Sequence, residues 1–314
     1  MARSIPSHVT HPGTSSSTVP GRSIGSNLLI SLRPGQWTKN LLVFAGLVFG
    51  HRLLDLEAFG QAFVAFAAFC GLSGVVYLIN DIADRESDRS HPLKARRPIA
   101  SGALPTRAAV LAAIAIGAGS LAASATLGRT FAGVAIAYLA LQALYSGPLK
   151  HIVIVDVLTL AFGFVLRAIA GAVAVRVEIS HWLLVCTVLL ALFIGLAKRR
   201  HEIVLLAGDA PSHRPILGEY SPYLLDQMIA VVTASTLIAY IFYTVSPETQ
   251  AKFGTPWLGL TIPFPLYGIF RYLYLVHQRQ AGGSPADLLL TDRGLLVCVL
   301  LWGVTVAGII YWPQ

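Results

Sequence analysis

Apolar residues in this chain fall in long unbroken runs instead of alternating with polar ones, and the polar residues collect between the runs. Nine runs, near 27–50, 58–79, 108–127, 131–146, 152–175, 182–197, 228–245, 257–270 and 294–312, approach the roughly 20 residues a helix needs to cross a bilayer. The pattern predicts an all-α integral membrane protein with nine transmembrane helices, and it excludes a β-barrel, whose strands alternate. The first run is interrupted by Arg33, Pro34 and Lys39, and the fourth and eighth are short enough to tilt or to sit half buried. Residues 1–26 are rich in Ser, Thr, Pro and Gly and lack the apolar core of a secretory signal. They are expected to form a disordered tail ahead of one membrane domain at 27–314.

Composition agrees with the pattern. The 314 residues are 55% hydrophobic and 12% charged, against about 25% charged in soluble domains, which excludes an ordinary water-soluble enzyme. Cys70, Cys186 and Cys298 lie far apart inside apolar runs, so they read as packing residues and not as a disulfide framework. A net charge of +8 on so little soluble surface points to anionic lipid head groups and phosphorylated substrates as partners, not nucleic acid.

The basic residues orient the chain, because short cytoplasmic loops retain Lys and Arg. In the nine-span scheme one side collects Arg3, Arg22, Arg33, Lys39, Arg85, Arg89, Lys94, Arg96, Arg97, Arg107, Lys150, Lys198, Arg199, Arg200, Arg214, Arg271, Arg279 and Arg293, which is 18 of 23. Arg52, Arg129, Arg176 and Lys252 fall on the other, and Arg167 lies within a span. The expected N-terminus is cytoplasmic and the C-terminus outside. The longer loops share the cytoplasmic face, so chemistry is expected there.

The densest chemical signal is Asn80-Asp81-Ile82-Ala83-Asp84-Arg85-Glu86-Ser87-Asp88 at the end of the second run. At about 100° per residue, Asp81, Asp84 and Asp88 share one ~60° arc of a continuous helix. Carboxylates stacked on one face repel unless a cation neutralises them, and an oxygen-only ligand set suits Mg²⁺. The bland alternative is a solvated helix end. Lys94, Arg96 and Arg97 follow within a Pro-bounded loop, where they either clamp a diphosphate against the metal or serve as topology determinants on acidic lipid. Asn80, Arg85 and Lys39 join them as candidate substrate contacts.

Ionisable groups within spans are costly and usually face a polar cavity. Asp156 and Arg167 are eleven residues apart, which puts them on one helix face about 16 Å from each other. They either bind opposite ends of a substrate, or Arg167 pairs with an acid on another helix. Tyr145 and Lys150 flank the cytoplasmic end of that helix, within reach of phosphate, although Tyr145 is also an ordinary interface aromatic. Of Lys198, Arg199 and Arg200, at most two can face inward, and Glu202 lies one turn beyond Lys198 as a partner. Lys198 and Arg199 are the candidates. No Walker loop, dinucleotide glycine motif or Ser/His/Asp arrangement is present.

The Asn-Asp-x-x-Asp-x-x-x-Asp motif after the second run, followed by Arg96 to Gly102 (Arg-Arg-Pro-Ile-Ala-Ser-Gly), resembles the first signature of the UbiA superfamily of intramembrane transferases. The segments 33–44, 145–151, 166–171, 197–202 and 287–293 resemble its phosphoribosyltransferase branch. The resemblance implies a helical bundle around a central cavity open to the cytoplasm and the bilayer, with catalytic Asp81, Asp84 and Asp156 and with Mg²⁺ on Asp81, Asp84 and Asp88. In that branch the donor is 5-phosphoribosyl diphosphate and the acceptor a polyprenyl phosphate, and the product leads to cell-envelope arabinose precursors. Where the family usually shows a second acidic motif, Asp156 is here the only acid. Two alternatives are a prenyltransferase acting on an aromatic or haem acceptor and, in another class, a transporter or structural membrane protein. Exposed helix faces permit a homo-oligomer without counting its subunits.

Overall fold

The computed structural model describes residues 23–91, 94–178, 180–206, 215–279, 288–289 and 291–311. Among them every regular element is helical. Of the expected tail, residues 1–22 lie outside the described residues, and helix α1 (Ile24–Ser31) already begins inside that stretch, capped by the Ser23 hydroxyl.

Six helices are long and apolar enough to cross a membrane. They are α3 (Leu56–Ala83), α5 (Thr106–Thr126), α7 (Val155–Ala174), α8 (His181–Leu206), α9 (Pro222–Val245) and α12 (Arg293–Tyr311). Local chemistry starts several of them. The Asp55 carboxylate accepts from the first-turn amides of α3, and Ser221 caps α9 with Pro222 at its first position.

The other three expected spans take different forms. The first run is broken into α1, a 3₁₀ segment at Pro34–Phe44 and the short helix α2 (Ala45–Phe49). Arg33 turns the chain there with a left-handed φ of 53°, and Pro34 cannot donate the amide a continuous helix needs. An eleven-residue 3₁₀ stretch is unusually long for that geometry, which often marks a functional or strained segment. The fourth run forms α6 (Arg129–Ser146). The eighth is displaced: Trp257–Thr261 is a 3₁₀ turn, and α11 follows at Pro263–Gln278. Short helices lie between these elements, α4 (Arg85–Ser90) after α3 and α10 (Pro247–Phe253) after α9.

Two packed groups share α7. Phe69 and Leu72 of α3, Phe131 and Tyr138 of α6, Ala170 and Ala174 of α7 and Val43 of the 3₁₀ segment form one core. Residues of α8, α9, α11 and α12 gather with Val157 of α7 in the other. Burial identifies the central helices, since 56% of the apolar window is buried in α3 and in α7 but 22% in α5 and in α12. The 3₁₀ segment enters the first core because α7 offers no side chain at Gly171. A Cβ there would lie 1.9 Å from the Val43 carbonyl oxygen, and one at Gly46 would lie 2.6 Å from the α7 backbone.

This close approach gives a direct test. Gly171→Ala drives a methyl into backbone that cannot move away and is expected to cost about 1–3 kcal/mol, read as a lowered unfolding transition in detergent. Gly60→Ala, with nothing within 4 Å of its Cβ, should be neutral or slightly stabilising. Equal effects at the two positions would refute the contact.

Candidate functional site

At one end of the bundle, the C-terminal end of α3 meets the loop that follows α4. Helix α3 stops at Ala83, and Asp84 turns with φ −86° and ψ 3° before α4 restarts at Arg85. The turn breaks the 100° advance, so the carboxylates do not share one arc. Asp81 and Asp88 face inward and are buried, while Asp84 is exposed. Nη1 of Arg97 donates to both buried acids, at 3.0 Å to Asp81 and 2.7 Å to Asp88, and Nη2 of Arg33 reaches the same Asp81 oxygen at 2.6 Å. The Arg33 guanidinium lies over the Tyr77 ring, 4.5 Å from its centroid. Buried Ile99 and Leu104 pin the loop that carries Arg97 against α3 and α5.

Among the described residues no group of three His, Cys, Asp or Glu side chains is gathered to hold a metal. What exists is a pair of buried carboxylates aimed at one cationic point, a donor set whose chemistry fits a hard divalent ion. Of the neighbouring candidates, Asn80 is half buried and its carbonyl accepts from Asp84 N–H at 2.8 Å. Arg85 reaches Glu86 at 3.8 Å, and its Nε is buried with no hydrogen-bond partner among the described residues. Lys94 is half buried and Arg96 exposed, both in the 3₁₀ turn Lys94–Arg96.

The second cluster joins α7, α8 and the approach to α9. Asp156 is fully buried, accepting from Arg199 Nε at 3.0 Å and from the Tyr220 hydroxyl at 2.8 Å. Arg199, only 2% exposed, also pairs with Glu202 at 2.8 Å and lies 3.5 Å from the Tyr145 hydroxyl. Burial pushes the Tyr220 phenol up to about 12, so it stays protonated and donates to Asp156 while accepting the Ile154 N–H at 2.7 Å. Ile154 has φ 69° and ψ −43°, and Val155 N–H bonds back to Val153. That is a strained γ-turn for a β-branched residue, and it aims the first turn of α7 at Arg199. Lys198 points away, 45% exposed and 3.8 Å from Glu202, and Arg200 pairs with Asp226. Lys150 is half buried in the 3₁₀ turn Leu149–His151.

A third cluster forms around Arg167, deeper in α7. Its guanidinium is buried and bonds only neutral acceptors: Asn40 Oδ1 at 2.7 Å, the Gly163 carbonyl at 2.7 Å and the Tyr138 hydroxyl at 2.9 Å. Neither Asp156 nor any other acid pairs with it among the described residues. Asn40 in turn donates to Cys70 and Ser73 of α3, which ties the 3₁₀ segment to both central helices.

The structure therefore unites Asp81 with Asp88 and Arg97, and Asp156 with Arg199 and Tyr145, while Arg167 stands apart. Arg33, Asn40 and Tyr220 complete these clusters without having been singled out by the sequence. Arg33 had a usable signal, a cation next to proline at the edge of an apolar run, whereas nothing local marks Tyr220.

Known proteins share this arrangement of helices. The UbiA prenyltransferase family matches residues 41–290. The chain belongs to this family. Decaprenyl-phosphate phosphoribosyltransferase of Corynebacterium glutamicum is 33% identical over 93% of this chain and 89% of its own length. The enzyme of the same name from Mycobacterium tuberculosis (strain CDC 1551 / Oshkosh) is 32% identical over 93% and 96%. A UbiA homolog from Archaeoglobus fulgidus, solved bound to DMAPP and Mg²⁺, superposes with a TM-score of 0.69 at 21% identity, over 91% of this chain and all of its own. This UbiA family member is thus an integral membrane transferase with an all-helical fold.

A cavity of about 400 Å³ beside Glu178, Tyr243, Glu248 and Lys252 lies at the opposite end of α7 and α9, away from these clusters. The Asp156 cluster yields a stability test. Asp156→Ala takes from buried Arg199 one of its two carboxylates, leaving Glu202, and is expected to cost about 3 kcal/mol, whereas Tyr220→Phe should cost about 1 kcal/mol. Unfolding in detergent measures both, and an Asp156→Ala loss no larger than that of Tyr220→Phe would show that the pair carries no structural burden.

Proposed function

We propose that this protein transfers 5-phosphoribose from 5-phosphoribosyl diphosphate to a polyprenyl phosphate in a Mg²⁺-dependent reaction at the cytoplasmic face of a bacterial plasma membrane. The observation that carries this reading is the likeness, over nearly the whole chain, to enzymes named decaprenyl-phosphate phosphoribosyltransferase. On this reading the product feeds cell-envelope arabinose precursors. The chain passes the membrane nine times as one domain after its tail, with the broken first run, α6 and α11 completing the six long spans around a central cavity.

The charges at the α3 end suit a diphosphate donor. Asp81 and Asp88 would hold Mg²⁺, with the exposed Asp84 at the rim, and Arg97, Arg33, Lys94 and Arg85 would take donor oxygens. When bound, Mg²⁺ supplies positive charge that stabilises the departing diphosphate. The acceptor phosphate is already anionic at neutral pH, so no general base is needed. Its oxygen bonds to the anomeric carbon while the carbon–oxygen bond to diphosphate breaks and the leaving group keeps the electron pair. The protein's part is to position both phosphates, stabilise charge and exclude water. Asp156 positions Arg199 and Tyr145 at the edge of this space.

Membranes given radiolabelled 5-phosphoribosyl diphosphate and a polyprenyl phosphate should yield lipid-soluble label. No label from folded protein sinks the reading, and labelled-prenyl transfer to an aromatic acceptor would replace it. Asp81→Asn or Asp84→Asn should abolish transfer in protein that still inserts, so near-wild-type turnover in both at saturating Mg²⁺ excludes the acidic motif from catalysis.

The loop can be divided further. Arg97→Gln removes the bridge between two buried acids as well as a donor contact, so it is expected to lower kcat/KM more than Lys94→Gln or Arg96→Gln. Each loss of a phosphate contact should fall in the range of about 5- to 150-fold. Arg107→Gln, at the start of α5, serves as the control. Equal small losses at all four positions would reduce the loop to a diffuse field.

A further inference from the structure

The cations at this end of the bundle divide by what neutralises them. Arg33 and Arg97 are held by Asp81 and Asp88, Arg199 by Asp156 and Glu202, and Arg200 by Asp226. Lys39 belongs to no such pair. It is half buried on the 3₁₀ segment and has no hydrogen bond or ion pair among the described residues, and the Arg167 guanidinium bonds its chain neighbour Asn40 at 2.7 Å. Arg167 adds a buried charge bonded only to neutral groups. Two cations without a carboxylate partner among the described residues, Lys39 and Arg167, are unfavourable by themselves among apolar helices and favourable around an anion.

We propose that Lys39 binds the phosphate of the lipid acceptor, with the Arg167 charge behind. The inference rests on the phosphoribosyl-transfer reading above and assigns one of its two phosphate subsites. Depth favours the acceptor. Asn40, the next residue, bonds Ser73 and Cys70, which lie two to three turns before Asp81 on α3, or about 12–16 Å along its axis. The diphosphate end is thus near the helix terminus and the unpaired cation is further into the bilayer, the direction from which a polyprenyl chain brings its phosphate. The leaving diphosphate and the attacking oxygen also need separate places around the anomeric carbon. The donor's own 5-phosphate offers the same chemistry from another source.

Binding to the full-length protein in detergent, measured by calorimetry, separates the sources without turnover. The probes are farnesyl phosphate, farnesol and 5-phosphoribosyl diphosphate with Mg²⁺. Lys39→Gln should weaken farnesyl phosphate roughly tenfold or more, leave farnesol and the donor unchanged, and keep the wild-type unfolding transition, while Lys39→Arg restores binding. Unchanged farnesyl phosphate binding overturns the assignment, as does an equal loss of farnesol. A loss confined to the donor overturns it too and moves Lys39 to the 5-phosphate. If wild-type membranes give no lipid-soluble label, the phosphoribosyl reading fails alone, and the farnesyl phosphate measurement still decides the role of Lys39.

Discussion

Charge inside a bundle of apolar helices has little water to solvate it, so an ionised group depends on the partners that packing brings to it. This requirement shapes the functional end of the molecule. Arg97 reaches across from its loop to Asp81 and Asp88, Arg33 arrives at Asp81 from a segment 48 residues earlier, and Arg199 crosses from α8 to Asp156 on α7. Each contact satisfies a buried charge and also fixes where a helix end or loop sits. The same groups hold this end of the fold together.

Close backbone packing supplies the second condition. The segment from Pro34 to Phe44 lies against α7 because Gly171 presents no side chain to the Val43 carbonyl, and Arg167 and Asn40 then lock it in place. A continuous helix there would give all its amides to itself. The 3₁₀ geometry, entered through left-handed Arg33, instead sets Arg33 at Asp81 and Lys39 deeper, on a single short stretch of chain. At the other cluster, the strained turn at Ile154 persists because Tyr220 accepts its amide and Asp156 holds Tyr220.

The outcome is a gradient in how charge is compensated. Near the end of α3, carboxylates and guanidinium groups are balanced against each other, an arrangement that suits a metal and a diphosphate entering together. Further along, Arg167 is matched by neutral dipoles only and Lys39 has no hydrogen bond or ion pair among the described residues, so positive charge is in surplus. The phosphoribosyl transfer proposed above would use both environments, one for the departing diphosphate and one for the attacking phosphate.

The amino-acid sequence by itself determined the membrane setting, the helical class and the family, because long apolar runs and short local signatures depend only on near neighbours in the chain. Helical geometry separates Lys198, Arg199 and Arg200, and of the two candidates among them Arg199 is buried while the Lys198 side chain is 45% exposed. Tertiary structure decided the rest. The shared arc of Asp81, Asp84 and Asp88 assumed a helix that continues past Ala83, and the turn at Asp84 exposes one acid while turning the other two onto Arg97. The first run looked like a span, yet Arg33, Pro34 and the close approach of Gly171 broke it. Asp156 and Arg167 share a helix face, and the sequence left them either at opposite ends of a substrate or with Arg167 paired to an acid on another helix; Asp156 meets Arg199, 43 residues away, and Arg167 meets the neutral Asn40, 127 residues away. A buried charge is stabilised by whichever group packing brings within about 3 Å, and separation along the chain does not encode that distance.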